Sequence, residues 1–112
     1  MRSELIPQQT HIETTHQAWL VHFAHDHDIL VQDLWIRAIN NLLARRLTWA
    51  KRDGIPYYRA KSTLNLVPWS VRLPMKIVDR VNAAVEYDHT SVRTFYYTAL
   101  VDFVVAHMET KT

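Results

Sequence analysis

A period-two segment that ends on a proline and gives way to helical periodicity does most to restrict how this chain can fold. Val67, Trp69, Val71 and Leu73 alternate with Pro68, Ser70, Arg72 and Pro74, the spacing of a strand with one face buried. Pro74 ends it, because proline has no N–H for a ladder but is pre-set for the first turn of a helix. Beyond it Ile77, Val78, Val81, Ala84 and Val85 recur at helical spacing, with Lys76, Asp79, Arg80 and Glu86 on the outside. Asp88-His89 predicts a turn. Thr90 or Ser91 then caps a second helix, whose apolar positions are Val92, Phe95, Tyr96, Ala99, Leu100, Phe103 and Val104.

A fainter copy lies 61 residues upstream. On that offset Leu20, Phe23 and Ala24 fall on Val81, Ala84 and Val85, and Asp26-His27-Asp28 falls near Asp88-His89. Val31, Leu34, Trp35, Ala38, Ile39, Leu42 and Leu43 fall on the apolar positions of the last helix. Repetition of one supersecondary unit is the economical explanation; two unrelated helical hairpins remain the alternative. The first copy's strand would be Ile6 to Ile12, with Pro7, Gln9 and His11 facing outward.

The segment SVRLPMKIVDRV followed by TSVRTFYYTAL resembles the Arc/MetJ-type ribbon-helix-helix family. The likeness covers about 38 residues: R-L-P at the strand end, an aliphatic pair one turn later, and a serine eight residues before Ala-Leu. It implies a mainly α fold with a short β-ribbon, here a tandem ribbon-helix-helix (β-α-α twice) forming an intramolecular pseudo-dimer. Residues 1–44 would be a degenerate first unit, 45–66 a basic aromatic linker, and 67–108 the second unit. This arrangement is similar to the tandem TraY-type proteins of conjugative plasmids.

The resemblance further implies duplex DNA as partner, read by a two-stranded ribbon in the major groove. Arg72, Ser70 and Pro68 are then the base-contacting residues of one strand, and Gln9 and His11 those of the other. Arg72 is the strongest, since a guanidinium can meet guanine O6 and N7 together. Pro68 can offer only van der Waals contact. The family's phosphate clamp at the start of its last helix maps onto Ser91 and Val92, and many members carry glycine where His89 stands. Arg93, Lys76, Arg45, Arg46, Lys51 and Arg52 are the flanking phosphate contacts. In the first copy Leu30 takes the place of Ser91, and Asp26 and Asp28 would repel a phosphate.

Charge is distributed as a polyanion-binding surface requires. The chain carries a net +2. Between Arg37 and Arg80, however, ten Lys or Arg face only Asp53 and Asp79, so this block is +8 and the remainder −6. Residues 45–66 add Trp49, Tyr57 and Tyr58 among six basic side chains, equally consistent with backbone contacts flanking the ribbon and with a packed connector. The sequence has no cysteine, which excludes disulfides and thiolate metal sites. No apolar run approaches membrane-spanning length and no secretory signal opens the chain, so a cytoplasmic location without a membrane partner is expected.

The cluster His22, His25, Asp26, His27 and Asp28 contains metal-ligand chemistry but no metal-site spacing, and reads as a solvated, pH-sensitive turn. No cofactor or metal is expected. No Ser/His/Asp arrangement, paired-carboxylate motif or glycine-rich phosphate loop stands out, which argues against an enzyme. The leading reading is a sequence-specific DNA-binding protein, a transcriptional repressor or a plasmid or phage accessory factor. The alternative is a protein-interaction module or inhibitor that keeps the fold without reading DNA. Self-association on DNA and a protein partner stay open.

Overall fold

Alternation sorts the side chains of two extended segments onto opposite faces, and those segments find each other. The computed structural model describes residues 4–50, 57–60 and 65–109. Strand β1 (Leu5–Glu13) pairs antiparallel with β2 (Leu66–Pro74), in a register running from Leu5 opposite Pro74 to Glu13 opposite Leu66. The Thr14 N–H donates to the Asn65 carbonyl at 3.0 Å, and the Met75 N–H to the Glu4 carbonyl at 3.1 Å. These bonds carry the pairing past both ends of the ribbon.

The inward face of β2 is apolar, with Leu73 fully buried beside Val67, Trp69 and Val71. That of β1 is mixed. Ile12 is fully buried, but Gln8 and Thr10 also point inward, and helix α4 satisfies them. The Tyr96 hydroxyl donates to Gln8 Oε1 at 2.7 Å, and the Thr10 hydroxyl donates to the Arg93 carbonyl at 3.1 Å. A buried polar group without such partners would cost about 1–3 kcal/mol.

Four helices follow from the apolar spacing: α1 (Thr14–Asp26), α2 (Val31–Ala50), α3 (Met75–Asp88) and α4 (Val92–Glu109). α1 and α3 end with the same device. Asp28 and His89 adopt left-handed φ values of 53° and 56°. The next N–H groups, of Ile29 and Thr90, then reach back to the carbonyls of Ala24 and Val85 at 2.9 and 3.1 Å. This is the Schellman closure, which satisfies carbonyls orphaned at a helix end.

Packing is crosswise. α4 lies against β1 and α2 against β2, while α2 and α4 pack on each other. Trp35 on α2 meets Trp69 on β2 edge-to-face at 5.4 Å and Tyr96 on α4 at 5.5 Å. One core results, running from Ile12 and Leu73 through Leu20, Leu34, Ile39, Val81, Phe95 and Leu100.

The expectation of a tandem ribbon-helix-helix, β-α-α twice as an intramolecular pseudo-dimer, is corrected by this arrangement. The described residues contain two strands and four helices that make one two-stranded ribbon over one shared core, not a clear repeat of two units. The physical reason is that each strand leaves its own segment to pair, and the helices close over the result together. The segments also differ in what covers them: Tyr57 and Tyr58 bond to Asp88 of α3 and to Thr98 and Asp102 of α4. The described residues are mostly helical, with one two-stranded ribbon.

α2 also runs through Ala50, six residues into the expected 45–66 linker. No glycine or proline falls between Val31 and Gly54, so neither breaker stops the helix earlier. The expected turns at 53–56 lie outside the described residues. Among those described, no helix is long and apolar enough to cross a membrane.

Candidate nucleic-acid interface

The outer face of the ribbon collects the five expected base-contacting residues, together with Pro7, in three cross-strand pairs. Pro7 lies opposite Arg72, Gln9 opposite Ser70, and His11 opposite Pro68. All but His11 are exposed, and His11 is half-buried. Side chains directly opposite one another on a strand pair stand about 4.5–5.5 Å apart at Cβ. The six therefore form one narrow strip.

The strip is held from behind. The Gln32 amide in the first turn of α2 donates to the Arg72 carbonyl at 2.7 Å, fixing the backbone that carries this guanidinium. The Arg72 side chain makes no ion pair among the described residues, so its donors face outward uncommitted. Gln32 is a contributor that sequence reasoning missed, because a glutamine in a first helical turn gives no sign of a partner 40 residues away.

The two ends of the strip differ electrically. At the His11–Pro68 end stands the N-terminus of α4. There Ser91 caps the helix, its Oγ accepting from the Thr94 N–H at 3.1 Å. The Val92 and Arg93 N–H groups occupy the first two helical positions, where no intrahelical acceptor exists, and α4 has no acid in its first turn. Exposed Arg93 joins His11, Thr94 and Arg59 around a cleft of about 440 Å³. Arg59 is a second contributor that sequence reasoning did not single out. It was one cation in a basic stretch, and only the docking of Tyr57 and Tyr58 brings it to the ribbon.

At the Arg72–Pro7 end stands the N-terminus of α2, with exposed Leu30 before it and exposed Asp28 and Asp33 on either side. Lys76, in the first turn of α3, is exposed. Cations there are offset by carboxylates.

Arg45 and Arg46, two of the expected phosphate contacts, are each held by a carboxylate. The Arg46 guanidinium donates to both Asp88 oxygens, at 2.7 and 2.6 Å, and the Tyr57 hydroxyl donates to the same carboxylate at 2.5 Å. Burial alone would raise the Asp88 carboxyl, but the hydrogen bonds from Arg46 and Tyr57 and the guanidinium charge hold it below its usual range. Arg45 donates to both oxygens of buried Asp102, at 3.0 and 2.9 Å. The two arginines thus bind acids of α4 and α3. Lys51 and Arg52 lie outside the described residues.

The histidine-rich end of α1 is an aromatic and polar surface. Exposed His22 lies 3.1 Å from Asp26, and the His27 ring stacks on Phe23 at 3.9 Å. Among the described residues no three His, Cys, Asp or Glu side chains converge as metal ligands would.

No protein-family model, curated protein or solved structure matches this chain.

Proposed function

We propose that this protein binds duplex DNA sequence-specifically by laying the outer face of its two-stranded ribbon in the major groove. The observation that carries this reading is the strip Pro7–Arg72, Gln9–Ser70 and His11–Pro68. It is an outward ribbon face built of hydrogen-bonding side chains and prolines, backed by a fully packed core. The major groove, about 12 Å wide, admits a two-stranded ribbon. Arg72 matches guanine, Gln9 matches adenine, and Ser70 can serve either. The likeness of residues 71–107 to the ribbon-helix-helix family supports the same reading.

The strip reads bases, and the cleft of His11, Arg59, Arg93 and Thr94 beside α4 takes a backbone phosphate. Such a protein serves as a repressor or as an accessory factor assembling on its site. The unequal ends favour an asymmetric target, because a palindromic site mirrors two equivalent protein halves.

The test is a salt titration of binding to random duplex and to the DNA flanking the protein's own gene. Tighter binding to the flank and a steep fall of affinity with salt are expected. Arg72→Ala should cost about 1–3 kcal/mol and relax preference at one base position. Absence of binding to either duplex at low salt overturns the reading.

A second reading, a protein-interaction module, draws on one feature. Leu47 and Tyr87, 60% and 77% exposed, flank a groove of about 520 Å³ between α2 and α3. Arg72→Ala separates the two, since an interaction module keeps its activity without that side chain.

A further inference from the structure

A cleft lies where the end of β1, the start of α1, the connector and α4 meet. It holds about 740 Å³ and is walled by Tyr57, Tyr58, Tyr97, Val101 and Val105, with Glu13, His16 and exposed Arg59 completing the lining. Small-molecule sites run to about 300–1,000 Å³ and are mostly apolar, with a few polar groups that set orientation. This cleft has that size and that make-up.

Glu13 sets its chemistry. The residue occupies the N-cap position of α1, yet its side chain caps nothing. Instead Glu13 Oε2 accepts a hydrogen bond from the Tyr97 hydroxyl at 2.5 Å, with His16 Nε2 4.0 Å away. Glu13 Oε1 is buried and has no hydrogen-bond partner. An unmatched, buried carboxylate oxygen is a costly arrangement that a donor able to reach it would relieve. Tyrosine ring faces carry negative potential and attract cations. Anionic ligands are disfavoured beside the carboxylate.

We infer that this cleft binds a small organic cation, a protonated amine on an apolar or aromatic body. Its ammonium group donates to Glu13 and its body lies between Tyr57, Tyr58, Tyr97 and the two valines. The binding does not depend on DNA. One consequence does rest on the DNA reading: Tyr58, Arg59 and Tyr97 also line the phosphate cleft, so a bound cation constrains side chains beside the ribbon.

The experiment is calorimetric titration of the DNA-free full chain with three probes of one shape: phenethylammonium, 2-phenylethanol and phenylacetate. Phenethylammonium is expected to bind saturably, about tenfold or more tighter than the alcohol, with phenylacetate weakest. Glu13→Gln should remove that preference, and Val101→Trp should abolish binding by filling the cleft, with circular dichroism confirming both folds. Should a variant not fold, the ranking of the probes on the natural chain decides alone. Equal binding of the three probes, no saturable phenethylammonium binding, or an unchanged preference in folded Glu13→Gln each overturns the inference. Because no DNA is present, failure here is distinct from failure of the DNA reading.

Discussion

The Arg46 guanidinium grips the Asp88 carboxylate through both oxygens, with 12% and 2% of the two side chains exposed, and so ties the C-terminal half of α2 to the end of α3. The Tyr57 hydroxyl on the same carboxylate adds the connector to the tie. Removing one partner of such a buried pair strands the other charge. Arg46→Met is therefore expected to cost about 3–5 kcal/mol in denaturant unfolding. The double variant Arg46→Met, Asp88→Leu should recover much of this, because the stranded charge goes too. Equal losses in the single and double variants would refute the coupling.

The same cluster predicts acid sensitivity. The folded Asp88 carboxyl is held below its ordinary value, by hydrogen bonds and charge that outweigh burial. The unfolded chain therefore binds this proton more readily. Its stabilisation is complete above the unfolded value near about 4 and is lost as pH falls below it. Unfolding free energy measured from pH 6 downward should decline there, and the decline should be shallower in the Arg46→Met, Asp88→Leu chain.

Alkali should act through three tyrosines. Burial foremost raises the Tyr57, Tyr96 and Tyr97 phenols well above the usual range, with the Asp88 and Glu13 carboxylates adding to the effect at Tyr57 and Tyr97. Their contribution is full below about pH 10, where an unfolded tyrosine begins to ionise, and drains away as pH rises further. Absorbance titration at 295 nm should show two stages, the later one coinciding with loss of circular dichroism. A single stage for all five tyrosines with the fold intact would contradict the packing.

His89 closes α3 in the left-handed region, which a side chain disfavours. His89→Gly is expected to stabilise the protein by about 1 kcal/mol, read as a higher midpoint in thermal melts, and His89→Val to destabilise it. The reverse order would mean that the imidazole, not the backbone, matters at this corner.

How much of this was legible in the sequence depends on which partner a residue answers to. Pro68, Ser70 and Arg72 were placed outward by alternation alone, because Val67, Trp69, Val71 and Leu73 between them are apolar. Pro7, Gln9 and His11 needed the 61-residue offset, since Gln8 and Thr10 are inward yet polar, their partners being Tyr96 and Arg93 far along the chain. Arg45 and Arg46 read as free cations because Asp102 and Asp88 lie 57 and 42 residues away. The two similar halves suggested a repeated unit, but the described residues form two strands and four helices that are not a clear repeat of one unit.

The start of α2 offers a contrast with the start of α4. Leu30 sits where Ser91 caps α4, its carbonyl accepting from the Leu34 N–H at 3.0 Å while its side chain, 66% exposed, caps nothing. Leu30→Ser supplies the missing acceptor and is expected to stabilise by about 1 kcal/mol. Ser91→Ala should cost a similar amount. Chemical denaturation of both variants checks the pair.

On the DNA reading, the unequal ends of the ribbon fix its polarity. Arg93 stands with Arg59 and His11 beside α4, whereas Asp28 and Asp33 flank the start of α2. Arg93→Ala should weaken binding to all duplexes alike and flatten the logarithmic salt dependence by about one counterion. Asp33→Asn should act in the opposite sense and tighten binding, since it removes a like charge facing the phosphates. Fluorescence anisotropy across a salt series reads both effects. If Arg93→Ala left affinity and slope untouched, the phosphate would have to be held elsewhere than the α4 end. A loss confined to one base pair would instead make Arg93 a reader of sequence.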